Sequence, residues 1–465
     1  MKQARLAPFF GDGFFYRAAL AVMIPVMLQQ FVSTASSFID SVMLAGIDEF
    51  AMSAVAVAGK PTMFFNALIL GFTSAASLLI SQYHGAGNFP VCQRIFSVQI
   101  LLGFVLALPF AALLFLFPAP FMRLFVQDAY TVETGVLYLR IAVFAYLPMS
   151  FSLVCLFSLR SIGVTLLPML VSFLTIGLNV LLEWLLIFGM MGLPRLGVGG
   201  AALGLLLSRT FEMSVYALVL LYKKTEFHLR IAPAFRLGRQ ILLDFIRKGL
   251  PLIVNEVLWS IGQIVIFWSY ARVGEALLPS INITDQVMAV SIVPIHAVSA
   301  AIAIFVGREL GANRFREARQ GAKRLYGLNV MLSVVSAGIA LLLACAVPAM
   351  FPLLPAEHLE LTKRLVRLVL FFFPFTSLFM VSYLLLRAGG DTKHMVLLDS
   401  VFLWLMPVPA ALVIGLLLPD RIGLFDTVLI IQALQCLRTF VALWIVERGT
   451  WLQNLTRGNE QAECI

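Results

Sequence analysis

The feature that most constrains this chain is repetition of length: about twelve apolar runs follow one another, each long enough to cross a bilayer. A spanning helix needs roughly 17–25 predominantly apolar residues. The runs lie at approximately 17–45, 51–80, 93–118, 135–158, 165–189, 198–222, 249–273, 280–306, 323–350, 364–386, 394–418 and 425–446, each closed by charged or Gly/Pro-rich punctuation. Alternating in-out patterning of barrel strands is absent, so helices must satisfy the backbone within each run. Only 12% of the residues are charged and 61% are hydrophobic, whereas a soluble domain is about a quarter charged. The expected fold is an all-α polytopic membrane protein of about twelve transmembrane helices. The first run follows a long MKQARLAPFFGDGFFYR leader and lacks a small-residue cleavage site, so it is read as a retained span and not a signal peptide.

A net charge of +9 could suggest nucleic acid, but the basic residues fall in alternate loops, the asymmetry that sets membrane orientation. Lys223, Lys224, Arg230, Arg236, Arg239, Arg247 and Lys248 follow the sixth span. Arg308, Arg314, Arg316, Arg319, Lys323 and Arg324 follow the eighth. Loops of the other side carry Asp48, Glu49, Asp128, Glu133, Glu357, Glu360, Asp420 and Asp426, with Arg123, Arg195 and Arg421 as the few bases. Both termini are therefore expected in the cytoplasm, with the protein in the cytoplasmic (inner) membrane and no nucleic-acid partner. The five cysteines are scattered, with neither CxxC nor paired ligand spacing, so neither a disulfide nor a zinc site is expected.

The chain also reads as two copies of one unit. SLRSIGVT (158–165) returns as LLRAGGDT (385–392), HGAGN (84–88) as LGANR (310–314), and IPVMLQQ (24–30) as LPLIVNE (250–256). All three shifts are close to half the chain. With about six spans each, the halves share one orientation and a pseudo-two-fold axis runs along the membrane normal. The expected organisation is a six-helix lobe at 1–222, a basic cytoplasmic linker at 223–248, a second six-helix lobe at 249–448 and a tail at 449–465.

SFIDSVMLAG followed by AMSAVAVAG, then SQYHGAGN, LRSIGVT, LNVLLEWLLIFG and GVGGAALGLLLSR, resemble the multidrug and toxic compound extrusion (MATE) family; VGRELGAN and LLRAGGDT match it in the second half. The resemblance is nearest to the branch typified by DNA-damage-inducible protein F. It implies an efflux antiporter of twelve helices in two lobes, exporting amphipathic, often cationic, compounds in exchange for inward H⁺ or Na⁺. Residue by residue, it implies that Asp40 is the acid of the first helix, Asn179 the asparagine of the fifth, and Glu183 stands where an aspartate is usual. Glu256 matches an acidic position of the seventh helix used in other branches. Thr376 and Ser377 stand where the sodium-coupled branch has its tenth-helix aspartate, and Leu205 replaces a hydroxyl that helps hold sodium, so H⁺ is favoured over Na⁺.

The intramembrane charges support a site on physical grounds. An unpaired charge in a spanning helix costs about 2.5–3.5 kcal/mol on insertion scales, so such residues face cavities and usually serve function. Asp40 lies six residues before Gly46, and Glu183 six before Gly189; both helices run outward, which places the two acids level, ~9 Å below the outer helix ends. Asn179 is at i−4 from Glu183, on the same face. Two neighbouring carboxyls out of bulk water resist joint ionisation, so a proton can bind and leave. Asp40, Asn179 and Glu183 form the candidate cation-coupling set. Lys60, in the second helix, is either a built-in cation tuning those acids or a lysine snorkelling outward. Glu256, with Asp285 and Gln286, forms a second candidate cation or substrate site. Arg209 and Glu212, three apart, are spaced to neutralise each other; Arg438 has no partner recognisable in the sequence.

The expected activity is secondary antiport by alternating access, with a small-molecule substrate, the lipid bilayer as surroundings, no cofactor beyond the coupling ion, no catalysis, and a monomeric chain. The alternative is a lipid or lipid-linked oligosaccharide flippase of the related superfamily, which would want a cationic central cavity. A membrane-embedded prenyl transferase would need paired Asp-rich motifs for Mg²⁺ and diphosphate, and GAGN and GGDT complete neither a GxGxxG nor a P-loop pattern.

Overall fold

The computed structural model describes residues 9–45, 54–55, 57–123, 128–222, 227–229, 239–274, 277–350 and 356–456. Asp48 and Glu49, and half of the linker at 223–248, lie outside the described residues. Twelve helices among those described are long and apolar enough to cross a membrane. We number them α1 Gly13–Ala45, α2 Lys60–Gly85, α3 Phe89–Leu116, α4 Ala129–Ser161, α5 Leu166–Phe188, α6 Val198–Tyr222, α7 Arg239–Gly274, α8 Val293–Gly311, α9 Phe315–Met350, α10 Ala356–Ala388, α11 Thr392–Leu417 and α12 Leu424–Arg448. Each expected run has its helix. The eighth is divided, with a separate helix Leu278–Ser291 ahead of α8 because Pro294 falls two residues past the break; a proline near a helix start forfeits no intrahelical bond.

The turns show the duplication directly. After α2, the amides of Gly87 and Asn88 donate to the carbonyls of His84 and Tyr83 at 3.1 and 2.9 Å. After α8, those of Asn313 and Arg314 donate to Leu310 and Glu309 at 3.1 and 2.8 Å. The pivot is left-handed in both, Gly87 at φ 77° and Asn313 at φ 62°, which glycine and asparagine tolerate best. The turns after α4 and α10 repeat in the same way: Gly163 (φ 90°) and Gly390 (φ 78°) donate to Arg160 and Arg387 at 3.0 and 3.1 Å.

Two compact units result. One comprises Leu28–Gly249; the other comprises Met1–Met27 with Leu250–Glu460, so the first part of α1 groups with the second unit. Within the first unit, α5 and α6 approach closely because Gly200 and Gly204 face α5. A Cβ on Gly200 would stand 2.6 Å from the Leu186 carbonyl, and one on Gly204 would stand 2.7 Å from Glu183 Cγ. Small residues four apart allow this approach where lipid supplies no hydrophobic drive. The second unit carries two π-helical turns, Ala303–Gly307 in α8 and Leu397–Val401 in α11. Such turns often mark functional or strained segments.

Candidate functional site

The first unit encloses a cavity of ≈ 700 Å³, lined by α1, α2, α4, α5 and α6. Asp40, Asn179 and Glu183 all line it. Asn179 Nδ2 donates to Glu183 Oε1 at 2.9 Å, the i, i+4 contact expected along α5. Asp40 arrives from α1 onto the wall of the same cavity as Glu183. Two carboxyls facing one cavity away from bulk water resist joint ionisation. Asp40 Oδ1 is buried and meets no donor among the described residues. An acceptor left in that state costs free energy unless a proton or cation occupies it.

Around this pair stand two residues with electrostatic reach. Tyr138 of α4 lines the cavity and lies beside both acids. Arg209 of α6 attracts Asp40, while its own guanidinium donates to Glu212 Oε2 at 2.9 Å. The pairing read from the Arg209/Glu212 spacing is thus present, and it lies on the cavity wall.

The other end of the cavity has a different polarity. Arg160, at the C-terminal end of α4, donates to Gln29 Oε1 of α1 at 2.5 Å, and Gln29 Nε2 donates in turn to Ser172 Oγ of α5. All three line the cavity. Sequence reasoning passed over this group, although Arg160 sits inside the repeated LRSIGVT string. Its charge was the available signal, and the duplication was where to look for its partner.

Lys60 is exposed at the start of α2 and is not among the cavity-lining residues, although Gly59 and Thr62 are. Glu256 lies in the second unit, 3.7 Å from Arg387 Nη1. Asp285 and Gln286 are exposed on the helix ahead of α8 and make no side-chain hydrogen bond among the described residues. Arg438, unpartnered in the sequence reading, meets Asp399 Oδ1 at 3.4 Å and lies 3.9 Å over the Phe379 ring. Asn255 Nδ2 donates to Asp399 Oδ2 at 2.9 Å, and Ser400 Oγ donates to Asn255 Oδ1 at 2.7 Å.

A duplicated twelve-helix bundle with a polar cavity inside one unit defines a multi-pass membrane transporter. Residues 25–185 and, separately, 251–412 match the MatE family model, and the chain belongs to that family. It is 22% identical over 409 residues to "Probable multidrug resistance protein YoeA" of Bacillus subtilis, covering 86% of this chain and 87% of the relative. It is 25% identical over 400 residues to "Probable multidrug resistance protein NorM" of Thermotoga maritima, covering 85% and 84%. Among solved structures it is similar to a MOP superfamily transporter from Pyrococcus furiosus, with TM-score 0.85 and 20% identity over 96% of this chain and 98% of that one. An outward-facing multidrug resistance MATE family transporter superposes with TM-score 0.84, 20% identity and the same coverage.

Proposed function

We propose that this chain is a secondary antiporter exporting amphipathic, often cationic, compounds in exchange for inward H⁺. It works as a monomer in the cytoplasmic membrane with both termini in the cytoplasm, its two lobes opening alternately to either side. The observation that supports this reading is the meeting of Asp40 and Glu183 from separate helices inside one cavity, with Asp40 Oδ1 unpartnered. A proton held between the two acids neutralises the pair; a substrate cation arriving there displaces it, so the site carries one or the other. That exclusion is the minimum that antiport requires, because a carrier can exchange two species only if its states bind them differently. Asn179 orients the Glu183 carboxyl and accepts either protonation state. The set offers two carboxyls and an amide, with Leu205 on the adjacent wall, which favours H⁺ over a larger shell of oxygen ligands for Na⁺.

The test is efflux from proteoliposomes under separately imposed proton and sodium gradients, comparing the native chain with Asp40→Asn. A proton gradient alone should drive efflux in the native protein and fail in the variant. Efflux driven by sodium alone would overturn the choice of ion, and efflux driven by neither would overturn antiport.

A further inference from the structure

The geometry points to an anion subsite at the Arg160 end of the cavity, so that the substrates accommodated best are amphipathic zwitterions, with their cationic group at the acid pair and a carboxylate at Arg160. This rests on the reading of the cavity as a transport site and names the substrate class it would take.

The case begins with charge balance. Arg160 has hydrogen-bond company in Gln29 and lies 5.9 Å from the Phe157 ring, but no carboxylate pairs with it among the described residues, and its Nε is buried without an acceptor. Arg209, the other arginine on the cavity wall, is satisfied by Glu212. The duplication shows that the fold does not oblige Arg160 to go unpaired. Its counterpart Arg387 has Glu256 at 3.7 Å, whereas the position matching Glu256 is Gln30 in the first half. Asn255 donates to Asp399, whereas its counterpart Gln29 donates to Ser172. Both places where the second half sets a carboxylate thus hold a neutral side chain in the first. The same framework carries a compensated arginine in one unit and an uncompensated one, facing a cavity, in the other.

The spacing then defines the ligand. Gln29 precedes Asp40 by eleven residues along α1, and Ser172 precedes Glu183 by eleven along α5, which places the two ends roughly 16 Å apart on either helix. Leu156 and Ile176 line the stretch between together with Ser33, Ser36 and Thr175, a mixed wall suited to an amphipathic body. Guanidinium is the side chain best matched to a carboxylate, by two parallel donors.

The test uses a matched pair of fluorescent dyes, the piperazine amide of rhodamine B succinylated to a terminal carboxylate, whose linker sets the anion roughly 16 Å from the delocalised cation, and its ethyl ester, which keeps the cation and lacks the anion. Binding is read by anisotropy with the full chain in nanodiscs, without any gradient. The native protein should bind the acid more tightly than the ester by roughly tenfold, the worth of one charge-assisted contact. Arg160→Gln should abolish that preference while leaving ester affinity in place. Because Arg160→Gln could disturb the fold, Ser172→Asp provides a second route: it supplies the carboxylate found at the matching place in the second half, and should also erase the preference. Asp40→Asn should weaken both dyes alike. Equal native affinity for acid and ester, or a preference that survives in both Arg160→Gln and Ser172→Asp, would overturn the subsite. Since no ion gradient is present, loss of the subsite would leave the proton-coupling experiment to stand or fall separately.

Discussion

The two halves of this chain share turns, helix order and arginine positions, yet they spend their intramembrane charge in opposite ways. In the first, carboxyls at Asp40 and Glu183 face a cavity and one acceptor oxygen is left without a donor. The residues at the matching places in the second half are Ile266 and Ala410, and Met406 stands for Asn179. Four of its charges pair with one another instead, Asp399 with Arg438 and Glu256 with Arg387, and Asn255 donates to Asp399. The difference teaches that duplication preserved the frame while one copy kept its polar groups available and the other neutralised them. Availability belongs to chemistry, and mutual satisfaction belongs to stability.

The largest effect that could break this comparison is in the first half. Asp40→Asn and Glu183→Gln should each reduce proton-driven efflux to the rate of protein-free liposomes. Thermal stability should hold or rise, because a group left short of partners is being neutralised. Loss of stability in parallel with transport would show that the acid pair is structural.

Next comes the converse in the second half. Asp399→Leu leaves the Arg438 guanidinium buried at 8% exposure without its carboxylate, and removing one partner of a buried pair costs about 3–5 kcal/mol. The double variant Asp399→Leu with Arg438→Met should recover most of that loss, as replacement of both partners by apolar groups commonly does. Denaturation in detergent measures both. A stable Asp399→Leu protein that cannot transport would move the coupling chemistry into the second half and undo the contrast drawn above.

Those two experiments probe what the sequence did and did not disclose. The twelve spans were legible because a bilayer demands length and apolarity from every one of them, and Asp40, Asn179 and Glu183 stood out because a polar residue in such a run has few reasons to be there. The partner of Arg438 was not legible. Asp399 lies 39 residues away on another helix, inside a π-helical turn that shifts the face it presents, and no periodicity announces that shift. Arg160 went unremarked for a different reason: at a helix end it looks like an ordinary interfacial base, and only the comparison of Gln30 and Ser172 with Glu256 and Asp399 shows what it lacks. Of the two roles open to Lys60, tuning cation or snorkelling lysine, the sequence favours neither; the side chain stands exposed at the start of α2, outside the cavity lining.

A smaller effect sharpens the comparison at the helix interface. Gly200→Ala would press a Cβ onto the Leu186 backbone at 2.6 Å, which cannot yield, and Gly204→Ala would meet the movable Glu183 Cγ at 2.7 Å. Overpacking of this kind costs about 1–3 kcal/mol, with Gly200→Ala the more damaging to stability and Gly204→Ala the more damaging to coupling. Ala433, exposed on α12, serves as the control in the second half. Ala433→Gly should cost only about 0.5–1 kcal/mol, the ordinary penalty of glycine in a helix. Equal losses at Gly204 and Ala433 would mean that the close approach of α6 to α5 has no special bearing on the acid pair.

The smallest effect is expected at Lys60. The offset that relates the turns at Gly87 and Asn313 sets Lys60 against Gln286, and both side chains are exposed. A long polar side chain at that place is therefore common to the half with a cavity acid pair and the half without one. An exposed lysine stem can carry its ammonium to water at little cost, and an ion exposed in that way contributes little through distant pairing. Lys60→Gln, which copies the second half, should change the rate of proton-driven efflux by less than about twofold, a barrier change within roughly 0.4 kcal/mol, and should leave its pH profile where it was. A pH profile displaced by the substitution would instead tie Lys60 to the titration of Asp40 and Glu183, and would make the second helix a working part of the site that distinguishes the halves.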